Sequence, residues 1–90
     1  LMKLVANVTK YPEDAWKQKA EGRVILQFVV DEEGKMTYPK ILQSVRYDID
    51  KEAIRAFEAI ADVYRWSPGY QDGEAKRVKF TMPLYFRIPK

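Results

Sequence analysis

The sequence predicts a small α+β domain whose elements follow one another in the order α-β-β-α-β. Three observations carry this prediction. The stretch Arg23–Val30 is apolar on both faces, which is typical of a central strand. Two other strand patterns, Met36–Gln43 and Lys76–Ile88, each contain a proline, which sheets tolerate at an edge. Between them, Asp50 to about Arg65 has the apolar periodicity of an amphipathic helix.

The expected sheet has three strands, antiparallel or mixed, in the order 2-1-3, with the long helix packed on one face. The helix then links the two edge strands, which run parallel, across the central strand, and such a connection is right-handed. The chain has 90 residues, of which 47% are hydrophobic and 32% charged, as in ordinary globular domains. We therefore expect a single domain over residues 1–90, with an extended lead-in at 1–10 and a core at 11–88.

The first helix is predicted over Tyr11–Gly22, with Pro12 at its first position and Gly22 as its left-handed stop. After the central strand, Asp31–Lys35 reads as a hairpin loop in which Gly34 supplies a positive φ. Asp31, Glu32 and Glu33 lie on this loop, and we expect a solvated turn without tuned pKa values.

The major helix is predicted to begin at Asp50, a good N-cap, and to cover the sheet with one apolar stripe. Trp66–Gly69 is expected to end it, and Gln71–Glu74 to form a second turn. The last strand shows the clearest alternation in the chain. The residues predicted to share its inner face are Val78, Phe80, Met82, Leu84, Phe86 and Ile88.

Catalytic chemistry has little support. The chain contains neither cysteine nor histidine, which excludes thiolate nucleophiles, disulfides and the commonest general base and metal ligand. The only serines, Ser44 and Ser67, therefore have no histidine to activate them. We expect no catalytic residue, no metal and no cofactor, and hence no enzyme.

The residues alone leave two hypotheses for what the domain binds. The outer face of the last strand offers Arg77, Lys79, Tyr85 and Arg87, the basic and aromatic mixture of some nucleic-acid-binding sheets, although lysine on an edge strand also protects against aggregation. The second hypothesis is that the outer edge of the last strand is open and accepts an extended peptide. The alternative is that Pro83 and the charged side chains only protect this edge from pairing with another strand.

Several segments resemble the C-terminal domain of the TonB family of energy transducers, in the same order from about Tyr11 to Ile88. The matching segments are Tyr11–Ala15, Glu21–Val24, Val30–Lys35, Asp50–Ile54, Trp66–Gly69, Gly73 and Val78–Pro83. The resemblance implies a TonB/TolA C-terminal-like fold. It also implies the periplasmic domain of a Gram-negative protein that is anchored in the inner membrane.

In that family the domain binds the TonB box of an outer-membrane receptor, and an N-terminal helix engages the proton-driven ExbB–ExbD motor. By the resemblance the TonB box adds as a strand beside the last strand, and Tyr11 and Pro12 form a secondary contact. The expected contact residues are Val78, Lys79, Phe80, Thr81, Met82, Pro83, Leu84, Tyr85 and Phe86. Nucleic acid is not an expected partner, whereas a homodimer through edge strands is a further expectation. Related domains also extend other membrane proteins, including signalling peptidases.

Overall fold

Seven helices and strands make up the described chain. The structure is a computed structural model that describes residues 5, 7–66, 69–71 and 73–88, with only the backbone at 69–71. The helices are α1 (Glu13–Lys17) and α2 (Tyr47–Ala61). The strands are β1 (Gly22–Val30), β2 (Met36–Gln43), β3 (Gly69–Gln71), β4 (Glu74–Lys76) and β5 (Val78–Phe86).

The predicted sheet is confirmed: β1 lies between β2 and β5 and is antiparallel to both. The two edge strands are therefore parallel to each other, with α2 in the connection between them. The pairing of β1 with β5 is continuous from Gly22 opposite Phe86 to Val30 opposite Val78. The pairing of β1 with β2 is interrupted twice by register shifts. The two edges of the sheet thus differ in regularity.

The core lies between α2 and one face of the sheet. On β1 the side chains of Val24, Leu26, Phe28 and Val30 are almost fully buried, and the residues between them are more exposed. Helix α2 packs over β1 and β2 and contributes Ile49, Ala53, Phe57 and Ile60 to the core. The inner face of β1 is therefore apolar and covered, whereas its outer face mixes Ile25 and Val29 with Arg23 and Gln27. The prediction of packing on both faces is wrong for the described residues, because α2 covers one face only.

Helix α2 begins one turn earlier and ends earlier than the prediction of Asp50 to about Arg65. Its N-cap is Arg46, and no side chain caps it. Asp50 lies inside the helix, where its carboxylate accepts hydrogen bonds from the Val45 amide (3.0 Å) and the Ser44 hydroxyl. The N-cap prediction for Asp50 is therefore wrong, because this carboxylate ties the preceding loop to the helix and does not cap it.

The first helix is also shorter than predicted. Helix α1 ends at Lys17, and Lys19 adopts the left-handed conformation (φ 54°) that was expected of Gly22. Gly22 instead begins β1, where a Cβ atom would lie 2.8 Å from Cγ2 of Val45. A close approach between backbone and side chain, and not a helix stop, accounts for this glycine.

The lead-in differs from the prediction as well. Val5, Asn7 and Val8 are helical, and the Thr9 amide donates to the Val5 carbonyl at 3.0 Å. Val5 is buried in the core, and the Arg55 guanidinium donates to the Val8 carbonyl at 2.7 Å. The prediction of an extended chain is wrong at these positions because burial of Val5 and Val8 favours a turn of helix. Positions 1–4 and 6 lie outside the described residues.

A small hairpin precedes the last strand. Strands β3 and β4 pair with each other and form a separate two-stranded sheet, which the sequence patterns did not predict. The predicted last strand, Lys76 to Ile88, is consequently divided: Lys76 ends β4 and β5 spans Val78–Phe86. Of the predicted turn residues, Ser67, Pro68 and Asp72 lie outside the described part of the chain. Within that part, no helix is both long and apolar enough to cross a membrane.

Candidate partner-binding edge

Hydrogen bonds from β2 side chains show which way the backbone of β1 points. The Gln43 side-chain amide donates to the Arg23 carbonyl, and the Thr37 hydroxyl donates to the Val29 carbonyl, both at 3.1 Å. In an antiparallel ladder, residues that exchange hydrogen bonds with one neighbouring strand alternate with residues that face the other. The odd-numbered residues of β1 therefore face β2, and the even-numbered residues face β5.

The register transfers this alternation to β5. Residues opposite the even positions of β1 are hydrogen-bonded to it, namely Val78, Phe80, Met82, Leu84 and Phe86. The residues between them, Lys79, Thr81, Pro83 and Tyr85, direct their backbone groups away from the sheet, and no backbone partner meets them in the described chain. This outer edge of β5 presents three N–H donors and four carbonyl acceptors, because proline lacks an N–H.

Pro83 fits this edge without disturbing the sheet. It lies opposite Ile25 in an unbroken register, at a position whose N–H would point outward. No hydrogen bond to β1 is lost, so β5 stays straight through the proline. Pro83 removes one donor from the edge and leaves its carbonyl as an acceptor.

The side chains of β5 follow the predicted alternation. Met82, Leu84 and Phe86 are buried, Val78 and Phe80 are half-buried, and the residues between them face the opposite side of the sheet. On that outer face Lys79 and Thr81 are exposed, and Tyr85 is 51% exposed. The structure thus places all nine predicted contact residues in one strand, with their side chains divided between two faces.

An aromatic cluster supports the first half of β5. The ring of Phe80 stacks on Trp66 at a centroid distance of 4.8 Å and on Phe28 at 5.9 Å. Phe57 and Tyr64 extend the cluster from α2 and the segment after it. The loop that carries Trp66 is held by a hydrogen bond from the Trp66 amide to the Gly34 carbonyl at 2.9 Å. The start of the edge strand is therefore braced from the core side.

Tyr11 lies at the other end of β5, on the core side. Its ring contacts Phe86 edge-to-face at 5.7 Å and Trp16 at 5.3 Å, and its hydroxyl donates to the Ala20 carbonyl. Burial, followed by the nearby carboxylates of Glu21 and Asp48, raises the pKa of the Tyr11 hydroxyl above its ordinary value. Tyr11 is thus a neutral packing residue beside the end of β5.

Pro12 lies in a different surface feature. A groove of about 360 Å³ runs between the lead-in and the start of α2. Its lining residues are Lys10, Tyr11, Pro12, Tyr47, Asp48, Lys51, Glu52 and Arg55. Tyr47 is 80% exposed and was missed by sequence reasoning, because its position was assigned to a loop before the predicted helix start. The two predicted secondary-contact residues share this groove, and Tyr11 also contacts β5 through Phe86.

The acidic hairpin is a solvated turn, as predicted, with Glu32 and Glu33 exposed. The Asp31 carboxylate accepts hydrogen bonds from the amides of Glu33 and Lys35, each at 2.9 Å. The bond from Lys35 is the main cause that lowers the pKa of the Asp31 carboxyl, so the expectation of untuned acids is wrong for this residue. Glu32 forms an ion pair with Arg77 at 2.8 Å, which raises the pKa of that guanidinium.

Neither the acids nor the other polar groups assemble into a reactive site in what is described. No group of three potential metal ligands occurs among those residues. Ser44 donates its hydroxyl to the Asp50 carboxylate, which also holds the Val45 amide and so acts as a structural tie. Along the outer edge of β5, by contrast, a regular row of backbone groups has no partner among the described residues.

Comparisons with known proteins agree on one family. The family model of the Gram-negative bacterial TonB protein C-terminal domain matches residues 7–88. Among solved structures, a TonB C-terminal domain of Helicobacter pylori has a TM-score of 0.79 and 17% identity over 99% of this chain and 78% of that chain. A TonB C-terminal domain of Pseudomonas aeruginosa has a TM-score of 0.67 and 28% identity over 91% of this chain and 80% of that one.

No curated protein matches the chain. The family match nevertheless covers nearly the whole sequence, and both structural matches share the α+β architecture described above. The chain belongs to the TonB C-terminal domain family.

Proposed function

We propose that this chain is the periplasmic domain of a TonB-type energy transducer, which binds the TonB box of an outer-membrane receptor by strand addition. The observation that carries the proposal is the outer edge of β5, where Lys79, Thr81 and Tyr85 direct N–H and C=O groups outward that have no backbone partner among the described residues. The bound segment becomes a fourth strand of the sheet. The domain has no catalytic role, metal or cofactor in this proposal.

Backbone groups supply most of the affinity in this mode. Each hydrogen bond contributes on the order of 0.5–1.5 kcal/mol net, and the straight register of β5 lets several form together. Substitution of single side chains on the outer face should therefore have mild effects. Loss of an outward N–H should have a larger one.

Energy coupling uses parts of the full-length protein beyond this domain. In the proposal an inner-membrane anchor engages the ExbB–ExbD motor, and the proton motive force acts on the receptor through the bound strand. The bracing of β5 by the Trp66–Phe80 stack at one end and by Tyr11–Phe86 at the other supports a role in bearing load. Tyr11 and Pro12, in the adjoining groove, form the secondary contact with the receptor.

The proposal is tested by titrating isotopically labelled domain with TonB-box peptides and following the backbone amides. Amide shifts should be largest along residues 78–86. Thr81→Pro, which removes one outward N–H, should weaken binding by roughly three- to tenfold, whereas Thr81→Val, which keeps it, should change affinity less than twofold. Shifts confined to the Asp31–Lys35 hairpin, or equal binding by the two variants, would contradict strand addition.

A TonB-like extension of another membrane protein would use the same edge as an interaction domain. The two cases are separated by testing whether the domain, placed on a known transducer anchor, restores receptor-dependent uptake. A second copy of the chain could also occupy the β5 edge, and sedimentation across a concentration series would then show a dimer that TonB-box peptides dissociate.

Nucleic-acid binding, the hypothesis drawn from the basic and aromatic mixture on the last strand, has a structural observation in its favour, the lack of acidic residues in β1, β2 and β5. Binding to phosphates weakens steeply as salt rises. A salt series with a short oligonucleotide decides the question, because the strand-addition proposal expects no binding at physiological ionic strength.

A further inference from the structure

The sheet face opposite α2 is uncovered by any helix or strand of the described chain. Strand alternation places Arg23, Ile25, Gln27 and Val29 of β1 on this outer face. Lys79, Thr81, Pro83 and Tyr85 of β5 share it through their cross-strand pairing with β1. A strand added to β5 would extend this face, and every second side chain of that strand would lie on it.

The outer face has an unusual charge pattern. Strands β1, β2 and β5 contain Arg23, Lys40 and Lys79 but no aspartate or glutamate. Among the described residues, none of these three cations forms an ion pair. By contrast, the neighbouring Lys76 and Arg77 are paired with Glu74 and Glu32. Lys79 is therefore the cation of β5 that remains available at its outer edge.

The far end of the strand carries the same net charge as Lys79. Arg87 lies over the ring of Tyr85 at 4.9 Å and, with Arg23, lines a depression of about 410 Å³. Glu21 lines the same depression, and its carboxylate accepts a hydrogen bond from the Ile88 amide at 2.9 Å. This carboxylate offsets one of the two guanidinium groups, so the far end keeps one net positive charge and also favours carboxylates on the partner strand.

The opposite face beside β5 is apolar. Phe80 is half-buried in the sheet and stacks on Trp66, and Met82 and Leu84 follow it on the same side. Side chains of an added strand that alternate onto this face would meet aromatic and aliphatic carbon. Charged side chains there would lose hydration without finding an ionic partner among the described residues.

We propose that β5 selects an amphipathic partner strand, with carboxylate side chains on the face that meets Lys79 and apolar side chains on the face that meets Phe80. The inference rests on the proposed strand addition and names the chemistry of the segment that is added. Adjacent strands lie about 4.8 Å apart, so a carboxylate placed beside Lys79 is within reach of its ammonium group. Opposite charges across neighbouring strands contribute on the order of 0.2–1 kcal/mol, or up to about fivefold in affinity.

The test uses three synthetic peptides of eight residues, in which valine alternates with glutamate, glutamine or lysine. Each is titrated into the labelled domain while the amides of Lys79, Thr81 and Tyr85 are followed. The expected order of affinity is glutamate, then glutamine, then lysine, with roughly two- to fivefold between neighbours. The differences should shrink at high ionic strength, because the pairs are exposed to solvent.

Lys79→Glu should cancel the preference for the glutamate peptide over the lysine peptide, because its negative charge balances the one net positive charge at the far end of the strand. The matched control is Lys17→Glu, which makes the same charge change at an exposed position on α1 and should leave the order unchanged. A control that changes the order as much as Lys79→Glu would reduce the effect to net charge and overturn the inference.

The remaining outcomes separate the inference from the function on which it rests. Equal affinity for all three peptides, with shifts at the β5 amides, would overturn the charge selection and leave strand addition standing. No shift at those amides with these peptides or with TonB-box peptides would contradict strand addition itself.

Discussion

The two edges of the same sheet are built in opposite ways. On the β2 edge, the register with β1 shifts twice, and Tyr38 adopts a left-handed conformation (φ 54°) directly before Pro39. On the β5 edge the register is continuous through Pro83. Bulges and strained residues hinder the addition of another strand, whereas a regular edge permits it. A proline at each edge therefore does not mean that both edges are closed.

The side chains of the β2 and β5 edges differ as well. The β2 edge exposes Tyr38 (68%) and Leu42 (48%), each within a stretch where the register shifts. The Arg77 guanidinium lies 6.0 Å from the centre of the Tyr38 ring and is also paired with Glu32. Large side chains and an irregular backbone thus protect the β2 edge, while the β5 edge keeps its hydrogen-bonding groups in register.

The largest effect is expected from a substitution that tests which backbone groups of β5 face β1 and which face outward. Met82→Pro removes an N–H that faces β1 and leaves the carbonyl of fully buried Leu26 without its partner. The free energy of unfolding should fall by more than about 3 kcal/mol. Thr81→Pro, one residue away, should cost about 1 kcal/mol or less because its N–H faces outward. Urea denaturation measures both, and equal losses would contradict the assignment.

The next largest loss of stability is expected from a substitution in the hairpin that joins β1 to β2. Gly34 has φ 80°, and a Cβ atom there would lie 2.0 Å from the Trp66 carbonyl oxygen. Gly34→Ala should destabilise the domain by roughly 2–3 kcal/mol through backbone strain and this clash. Gly73 has the same φ, but nothing lies within 4 Å of the position that an added methyl group would take, so Gly73→Ala isolates the strain alone.

The expected cost of Gly73→Ala is about 1 kcal/mol. The difference between the two alanine variants then reports the contact that holds the Trp66 loop beneath β5. If both variants lose the same stability, the contact between the hairpin and the Trp66 loop does not contribute to stability.

A smaller effect tests the strain on the β2 edge. Tyr38→Val places a β-branched side chain at a positive φ and should destabilise the domain by about 1–2 kcal/mol more than Tyr38→Gly. The midpoints of urea denaturation of the two variants give the difference directly. Equal midpoints would mean that the bulge relaxes at little cost and that the β2 edge is not rigidly irregular.

The smallest expected effect is on the acid stability of the Asp31–Lys35 hairpin. Backbone hydrogen bonds, chiefly from Lys35, lower the pKa of Asp31 in the folded state. A lowered folded pKa contributes stability that is present above the ordinary carboxyl pKa of about 4 and is lost as pH falls through the folded value. Asp31→Asn should therefore flatten the decline of Tm between about pH 5 and pH 2. Asp14→Asn, an exposed change in α1, is the control.

Sequence reasoning placed the sheet correctly because β1, β2 and β5 carry strong patterns. Arg23–Val30 is apolar throughout most of its length, and the alternation from Val78 to Phe86 coincides with β5. The helix ends were harder to predict. Asp50 has the residue type of an N-cap, but tertiary packing of Ile49 in the core draws the preceding turn into α2.

The candidate site was predicted at the level of the strand and not of its individual bonds. Which residues of β5 face outward depends on the register with β1 and on contacts such as Gln43 with Arg23, and no pattern within β5 encodes these. The bulges at Tyr38 and Leu42 could not be predicted either, because a proline indicates an edge strand without specifying how the neighbouring backbone bends.

Hydrogen exchange of the backbone amides tests the central claim most directly. In the free domain the amides of Lys79, Thr81 and Tyr85 should exchange quickly, and those of Phe80, Met82 and Leu84 slowly. A saturating TonB-box peptide should protect the first set and leave the β2 amides unchanged. Protection that appears on β2, or that leaves Lys79, Thr81 and Tyr85 exchanging as before, would contradict strand addition at the β5 edge.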